Sequence, residues 1–255
     1  MTRSPDTMEI RIAMAHSLLD PSVFDRVLTA LRDPIVPPLR YGRVQPLRHP
    51  LSHDGHAVAS EFDKDRHLLV GAQAKRFHGS LLRHVEGLNW LQFSVAASLW
   101  RAEWVDWLLR LTADTPVLFA SICSAAENEA KHATRRALPG AGSARGWIGA
   151  TYRDFYRFLP GIYWITLLGS EAASGLDLDA ARACPAVEIT ELVQGQVMLR
   201  FSSDPFAETD LPGRLIAEQR VATALGDTYF FDRDRTGRKL SQVPAISAVL
   251  APLHR

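Results

Sequence analysis

The most regular hydrophobic pattern of the chain lies in its second half. Pro160-Gly161 marks a turn, and the apolar block at 162–168 is rich in the β-branched and aromatic residues typical of a buried strand. Apolar and polar residues then alternate over 187–191, and another apolar run covers 197–201. Because Gln194-Gly195 separates these two runs, the pattern predicts a β-hairpin with a short Gly-containing loop.

Near the N-terminus the pattern predicts a strand, a helix and then an irregular stretch. Residues 8–14 alternate between apolar and other residues, as in a half-buried strand. Asp20-Pro21 supplies an N-cap and a first-turn proline, so a helix is expected to begin there. Five prolines between residues 33 and 56 predict a long surface connection without regular structure.

The middle of the chain predicts the order strand, helix, strand, helix. Alternation over 88–97 indicates a strand, and residues 100–112 carry their apolar side chains at helical spacing. A second strand is expected at 117–123 and a second helix at 125–136. Since the connections are short, we expect both strands in one sheet, joined by a right-handed crossover.

Tryptophans mark the apolar face of the helix at 100–112. Trp104 and Trp107 both lie on this face. An aromatic stripe of this kind can form a ligand platform, but tryptophans on one helical face more often supply core volume. We therefore expect both to be core residues.

Together these elements predict an α+β protein with mixed or antiparallel sheets backed by helices. The strands and helices fall into two βα-type sub-blocks, each with its helices on one side. We expect a single domain over 1–255, in which a Gly-rich linker at 139–143 joins two halves, 1–138 and 147–255. A last helix is expected at 210–225, capped by Asp210.

Composition narrows the function classes. The chain has 29 Lys and Arg residues against 28 Asp and Glu residues, a formal net charge of +1, and its basic residues are scattered. This balance disfavours both general nucleic-acid binding and a strongly acidic DNA mimic. No apolar run approaches the ~18 residues of a membrane span, and the N-terminal residues lack the apolar core of a secretion signal. We expect a cytoplasmic protein that binds neither nucleic acid nor membranes directly, with Cys123 and Cys184 as free thiols.

Three histidines, His49, His53 and His56, lie beside Asp54 in the proline-rich stretch. Imidazoles and a carboxylate at such spacing can surround a metal ion. Prolines break the segment, however, so no predicted helix would align the ligands, and a solvated loop is expected instead. A metal-dependent hydrolase that uses this region is kept as an alternative function, beside a scaffolding module.

A second cluster, Glu127, Glu129 and His132, lies on the helix predicted at 125–136. A di-metal site would need another carboxylate and histidine set, and the sequence has none at the required spacing. A Gly-x-Ser-x-Gly elbow and a phosphate-binding loop are also missing from the sequence. We therefore expect a solvated helix face here, and a protein with no catalytic residues, no metal, no cofactor and no enzymatic activity.

The apolar pattern of the second half also resembles a known family. The residues that carry the likeness are Pro160, Gly161, Ile162, Tyr163, Trp164 and Gly169, followed by Gly195, Leu199, Asp204 and Pro205. Over about the last hundred residues, the chain resembles immunity protein family fifty-two of bacterial polymorphic toxin systems. The resemblance implies a cytoplasmic, non-enzymatic α+β protein that binds and neutralises one cognate toxin. It implies that the toxin is a restriction-endonuclease-like nuclease effector, delivered by a contact-dependent or type VI secretion system.

Acidic side chains are the expected toxin-binding residues, because a nuclease presents a cationic substrate cleft. Glu171, Asp177 and Asp179 follow the strand predicted at 162–168 without a basic residue between them. We select this loop as the first choice, and the face that carries Glu127 and Glu129 as the second. The alternative for Asp177 and Asp179 is that they only cap the next helix.

Overall fold

The structure of the chain is a computed structural model. It describes residues 7–14, 18, 20–51, 55–72, 76–83, 88–113, 115, 117–138, 142–149, 155, 158–202, 205, 211–226 and 228–231, with the backbone alone for 134–138 and 142–145.

In this part of the chain the strands and helices are interspersed along the sequence. The strands are β1 (Thr7–Met14), β2 (Leu39–Gly42), β3 (His49–Pro50), β4 (His67–Ala72), β5 (Phe77–Arg83), β6 (Asn89–Ala96), β7 (Val117–Ser124), β8 (Ala133–Leu138), β9 (Gly142–Trp147), β10 (Ile165–Leu168), β11 (Glu188–Glu191) and β12 (Val197–Arg200). The helices are α1 (Pro21–Leu31), α2 (Gly55–Asp65), α3 (Glu103–Ala113), α4 (Ala125–His132), α5 (Ser170–Ala173), α6 (Leu178–Arg182) and α7 (Leu211–Gly226).

Ten of these strands form one sheet in the order β11-β12-β10-β7-β1-β6-β5-β4-β2-β3. Every neighbouring pair in it is antiparallel. β8 and β9 form a separate two-stranded sheet. The predicted α+β class is confirmed, and the large sheet is of the antiparallel kind.

The N-terminal strand β1 lies in the interior of the sheet, between β6 and β7. Because β1 is antiparallel to both, β6 and β7 run parallel to each other, and α3 connects them by crossing over β1. The prediction that these two strands share one sheet is confirmed. The sequence pattern did not indicate that β1 lies between them.

Helices cover both faces of the sheet. α1, α2 and α3 pack with Met8, Ile10 and Ile12 of β1 in one apolar core. α5, α6 and α7 pack with Ala13 and Phe119 in a second core on the opposite face, which α4 also covers through its contacts with β1 and β7. The two groups of helices thus use opposite faces of a common sheet, whereas the sequence pattern predicted helices on one side of each sub-block.

The tryptophan prediction is confirmed. Trp104 and Trp107 are fully buried in the first core, and their rings pack edge to face with centroids 5.5 Å apart. The indole of Trp104 donates to the carbonyl oxygen of Leu99 at 2.9 Å, and that of Trp107 donates to Ala30 at 2.7 Å. The polar atom of each ring therefore has a partner although the ring is buried.

Two expected irregular stretches contain regular structure. The proline-rich stretch at 33–56 includes β2, β3 and the start of α2, so the prediction of a connection without regular structure is wrong. Its Pro50 lies in β3 at the sheet edge, where a residue without an N–H is tolerated. In the predicted linker, Gly142 and Ser143 belong to β9, while 139–141 lie outside the described residues.

The predicted hairpin of the second half is confirmed as β11 and β12. Its loop contains Gln194 at φ 65° and Gly195 at φ 73°, which are left-handed backbone conformations suited to a tight hairpin turn. The strand predicted at 162–168 is shorter than expected, since β10 begins at Ile165. Gly169 then passes so close to β7 that a Cβ would lie 1.8 Å from the Val117 carbonyl oxygen.

Replacing Trp107 by Ala should lower the free energy of unfolding by about 3–5 kcal/mol, because it opens a cavity in the first core and removes the bond to Ala30. Urea denaturation measures the loss. Asp106→Ala, at an exposed position of the same helix, is the control and should change stability by less than about 0.5 kcal/mol. Equal stability of the Trp107 variant and the control would contradict the core assignment.

Candidate functional site

A cluster of ion pairs lies between α4 and α7. Lys131 Nζ lies 2.9 Å from Glu127 Oε1 and 2.5 Å from Glu218 Oε2. Arg214 Nη2 lies 3.0 Å from Glu127 Oε2, and its Nε lies 3.5 Å from Glu218 Oε1. These four residues, called the ionic cluster below, carry two positive and two negative formal charges. Glu127, Arg214 and Glu218 are buried.

The ionic cluster follows from helical spacing. Glu127 and Lys131 are four residues apart on α4, as Arg214 and Glu218 are on α7, so each helix presents one acid and one base on one face. Ser124 starts α4 by accepting a hydrogen bond from the Glu127 amide at 3.1 Å. The two faces meet with each acid next to a base of the other helix.

The ionic cluster also fixes the segment at 160–164, the first part of the family-like motif. The Trp164 amide donates to Glu127 Oε1 at 3.3 Å, and Lys131 Nζ donates to the Ile162 carbonyl oxygen. Lys131 Nζ further lies 4.4 Å from the centre of the Tyr163 ring, which is a cation–π contact. The segment thus anchors α4 to the chain that leads into β10.

His132 extends these contacts. Its Nδ1 lies 2.8 Å from the Ile148 carbonyl oxygen, which can only accept, so Nδ1 carries the proton. Nε2 is then the acceptor for the Tyr163 hydroxyl at 2.6 Å. Burial raises the pKa of Tyr163, so this hydroxyl stays protonated and keeps donating. Both ring nitrogens of His132 are therefore occupied by protein groups.

Beneath the ionic cluster, the sheet face is also polar. Glu9 accepts from Ser94 Oγ at 2.8 Å and from Gln92 Nε2 at 3.1 Å. Arg11 is buried beside it, and although burial alone would lower its pKa, the negative charges of Glu9 and Glu127 help to raise it. With these two residues the buried layer holds three acidic and three basic side chains.

The buried layer changes the proton affinity of its members. Burial, and then the nearby charge of Glu127, raises the pKa of Glu218 to about 8. Burial alone would lower the pKa of Lys131, but the carboxylates of Glu127 and Glu218 raise it. Burial also raises the pKa of the Cys123 thiol, so this sulfur is not a nucleophile at neutral pH.

A cavity of about 220 Å³ opens beside the ionic cluster, lined in part by Lys131, His132, Gly161, Glu218 and Phe231. Its three ionisable lining residues are engaged with protein partners, as given above. The geometry therefore favours a structural role, in which the cluster holds α4, α7 and the 160–164 segment together.

The structure separates the second-choice pair of predicted binding residues. Glu129 is exposed on α4, but Glu127 is fully buried in the ionic cluster. The expected solvated face with both carboxylates is therefore wrong for Glu127. The sequence carried no local signal for this burial, because oppositely charged residues at spacing four are typical of an exposed helix face and Arg214 is 87 residues away.

The first-choice residues lie at the surface. Asp177 is exposed and caps α6 by accepting from the Ala180 amide at 2.9 Å, so it has the capping contact that was expected, and its toxin-binding role stays a prediction. Asp179, in the first turn of α6, has a side chain that is 91% exposed and pairs with Arg182 at 2.7 Å. Glu171 is half-buried and accepts from Ser170 Oγ at 3.1 Å. Asp177 and Asp179 thus occupy one helix end, with Glu171 on the helix before it.

Further exposed residues, which the sequence pattern did not single out, lie beside this helix end. Arg182 also pairs with Glu191 of β11, so α6 and the hairpin share one charged surface. Glu188 is exposed on the same strand but on the opposite face of the sheet from Glu191, and Val193 in the hairpin loop is 78% exposed. The alternating pattern and the Gln194-Gly195 loop were the signals for this hairpin.

The histidine region does not form a cluster in the described residues. His49 lies on β3 with its ring centre 5.4 Å from that of Tyr41, and His56 lies on α2. His53 lies outside the described residues. In the described ranges, no three His, Cys, Asp or Glu side chains are placed to hold one metal ion. Cys123 and Cys184 are free thiols, as predicted.

A search for helices long and apolar enough to cross a membrane finds none among the described residues.

Comparison with solved structures gives a likeness to the Pseudomonas aeruginosa T6SS protein PA0821. The TM-score is 0.60 with 16% sequence identity, over 96% of this chain and 83% of that chain. At this identity the likeness shows a shared fold alone. A scan against protein-family models and a search of curated proteins give no match. Membership of the immunity family therefore stays a prediction.

Removing Glu127 should be strongly destabilising, because Lys131 and Arg214 would lose a shared carboxylate in the interior. We expect Glu127→Ala to cost about 3–5 kcal/mol in urea denaturation. Glu129→Ala, on the same helix but exposed, should cost less than about 0.5 kcal/mol. If the two variants were equally stable, the ionic cluster would not hold these helices together.

Glu218 should make stability depend on pH. Its pKa is about 8 in the folded chain, against an ordinary value of 4.5, so between these values the folded state holds one proton more than the unfolded state. Stability should therefore fall as pH rises through this range, by at most about 1.4 kcal/mol per pH unit from this group. Glu218→Gln should flatten that slope in denaturation curves taken from pH 5 to 8, whereas Glu129→Gln should leave it unchanged. The same slope in both variants would disprove the assignment.

Proposed function

We propose that this protein is an immunity protein that binds and neutralises a cognate bacterial toxin. The observation that carries the proposal is the fold shared over 96% of the chain with a protein named as a T6SS protein. The resemblance of the motif to the immunity family also supports the proposal. In the structure, Ile162 and Trp164 of this motif contact Lys131 and Glu127 of α4.

The chemistry of the described residues favours binding over catalysis. Glu127, Lys131, His132 and Glu218 are the groups best suited to acid–base chemistry, and all four are engaged in internal pairs. Neutralisation by occlusion needs only a complementary surface, and an interface of ~1,600 Å² suffices.

We further propose that the toxin is a nuclease and that α6 and the neighbouring hairpin contact it. A substrate cleft for nucleic acid is cationic, so exposed carboxylates on ordered elements match it in sign. Asp177 and Asp179 meet this requirement, because helix α6 fixes their positions and leaves both exposed. Inhibition then consists of placing these carboxylates where the toxin would bind phosphates.

If the chain is an immunity protein, the toxin gene is expected immediately upstream of its own gene, so the test uses the product of that adjacent reading frame as the toxin. Asp177→Asn with Asp179→Asn removes two charges and keeps the cap, because Asn is as good an N-cap as Asp. The affinity measured by calorimetry should fall about tenfold at low salt, and less at moderate salt, because two exposed charge contacts are lost and salt screens them. Growth of a toxin-producing bacterial host should be protected less well.

The matched control is Glu103→Gln with Asp106→Asn. These two exposed carboxylates also lie in the first turn of a helix, but α3 is on the opposite face of the sheet. The control should bind as the unchanged chain does. Equal affinity of both double variants would remove α6 from the interface, and failure of the unchanged chain to bind or neutralise the adjacent product would overturn the proposed function.

A further inference from the structure

Strand β11 ends the large sheet, so one of its edges has no strand beside it among the described residues. The backbone hydrogen bonds around β11 show which of its residues direct their N–H and C=O groups towards this open edge. The Leu192 amide donates to the Gln196 carbonyl oxygen, and the Phe201 amide donates away from β11, to Trp164. Since bonding alternates along an antiparallel strand, Arg200 and Met198 bond to β11 while Leu199 and Val197 bond to β10.

The same alternation assigns the groups of β11 itself. Glu188 and Thr190 lie opposite Arg200 and Met198, so their backbone groups face β12. Ile189 therefore directs its N–H and C=O to the open edge, and Glu191 does the same. An open edge of this kind is a template for another extended strand.

Charge decides which strand fits. Three carboxylates, on Asp179, Glu188 and Glu191, lie on or beside the edge strand, against two arginines, Arg182 and Arg200. The excess is negative, and the exposed Val193 lies at the end of the edge. The surface thus combines free main-chain groups, an acidic surround and one apolar contact.

A second copy of this chain fits the edge poorly. A second copy brings the same carboxylates to the edge, and a pairing of two β11 strands centred on Glu191 would set the two Glu191 side chains directly opposite each other. Like charges directly opposite each other destabilise a strand pair. A strand that carries Lys or Arg side chains meets the same positions with attraction.

We infer that β11 is a docking edge for an extended basic strand of a partner protein. The strand lies antiparallel or parallel along β11 and bonds to the outward groups of Ile189 and Glu191, while its cations face Glu188, Glu191 and Asp179. This rests on the proposed function, because the toxin is the partner that supplies the strand.

A pair of substitutions at one position separates main-chain pairing from simple charge attraction. Glu191→Gln keeps the outward N–H and removes the charge, whereas Glu191→Pro removes both. Both lose the pair with Arg182, and proline is tolerated at an edge where its N–H would point outward. Affinity for the adjacent-frame product should be at least about tenfold weaker for Glu191→Pro than for Glu191→Gln.

Hydrogen exchange on the unchanged chain gives a second measurement that does not depend on how the proline variant folds. The amides of Ile189 and Glu191 should exchange slowly in the complex and rapidly in the free protein. Equal affinity of the Pro and Gln variants, or unchanged exchange at both amides in the complex, would overturn the docking edge and leave the proposed function standing. If the unchanged chain does not bind the adjacent product, both proposals fail.

Discussion

Pairing of buried charge is the constraint on which the second half of the molecule depends. Three acidic and three basic side chains lie between the sheet and helices α4 and α7, and a charge in the interior is tolerated only with a partner. Lys131 contacts Glu127, Glu218 and the Ile162 carbonyl, so it holds α4, α7 and the 160–164 segment together. These pairs hold α7 in place, and α6 packs on α7, so they also help to position the acidic surface at α6 and β11.

Different interactions stabilise the packing on the two faces of the sheet. The face under α1, α2 and α3 is filled with aliphatic and aromatic side chains, among them Trp104 and Trp107. Such a core depends on volume and tolerates exchange of one apolar residue for another of similar size. The opposite face combines the second apolar core with the buried charged layer under α4 and α7, whose residues depend on partners with defined geometry and can therefore only change together.

Local patterns predicted the elements better than their arrangement. The helix with Trp104 and the hairpin around Gln194-Gly195 were predictable because spacing and turn residues lie within one short segment. The position of β1 between β6 and β7 has no local signal, since Ile10 pairs with Phe93 and Ile122. Glu127 was assigned to the surface for the same reason, because its partner Arg214 is 87 residues away. The exposed carboxylates of α6 were predictable from the turn residues around them, whereas the edge beside them needed the strand order.

The placement of β1 has a consequence for how the chain reaches its native state during synthesis. β1 is synthesised before β6 and β7, the two strands that flank it in the sheet, and it cannot pair with them until they have been made. The centre of the sheet therefore closes late, through contacts far apart in sequence, which slows folding. After β6 and β7 have been synthesised, each exposes an unpaired edge until β1 is inserted between them. Self-association of the nascent chain can compete with completion of the sheet during that time.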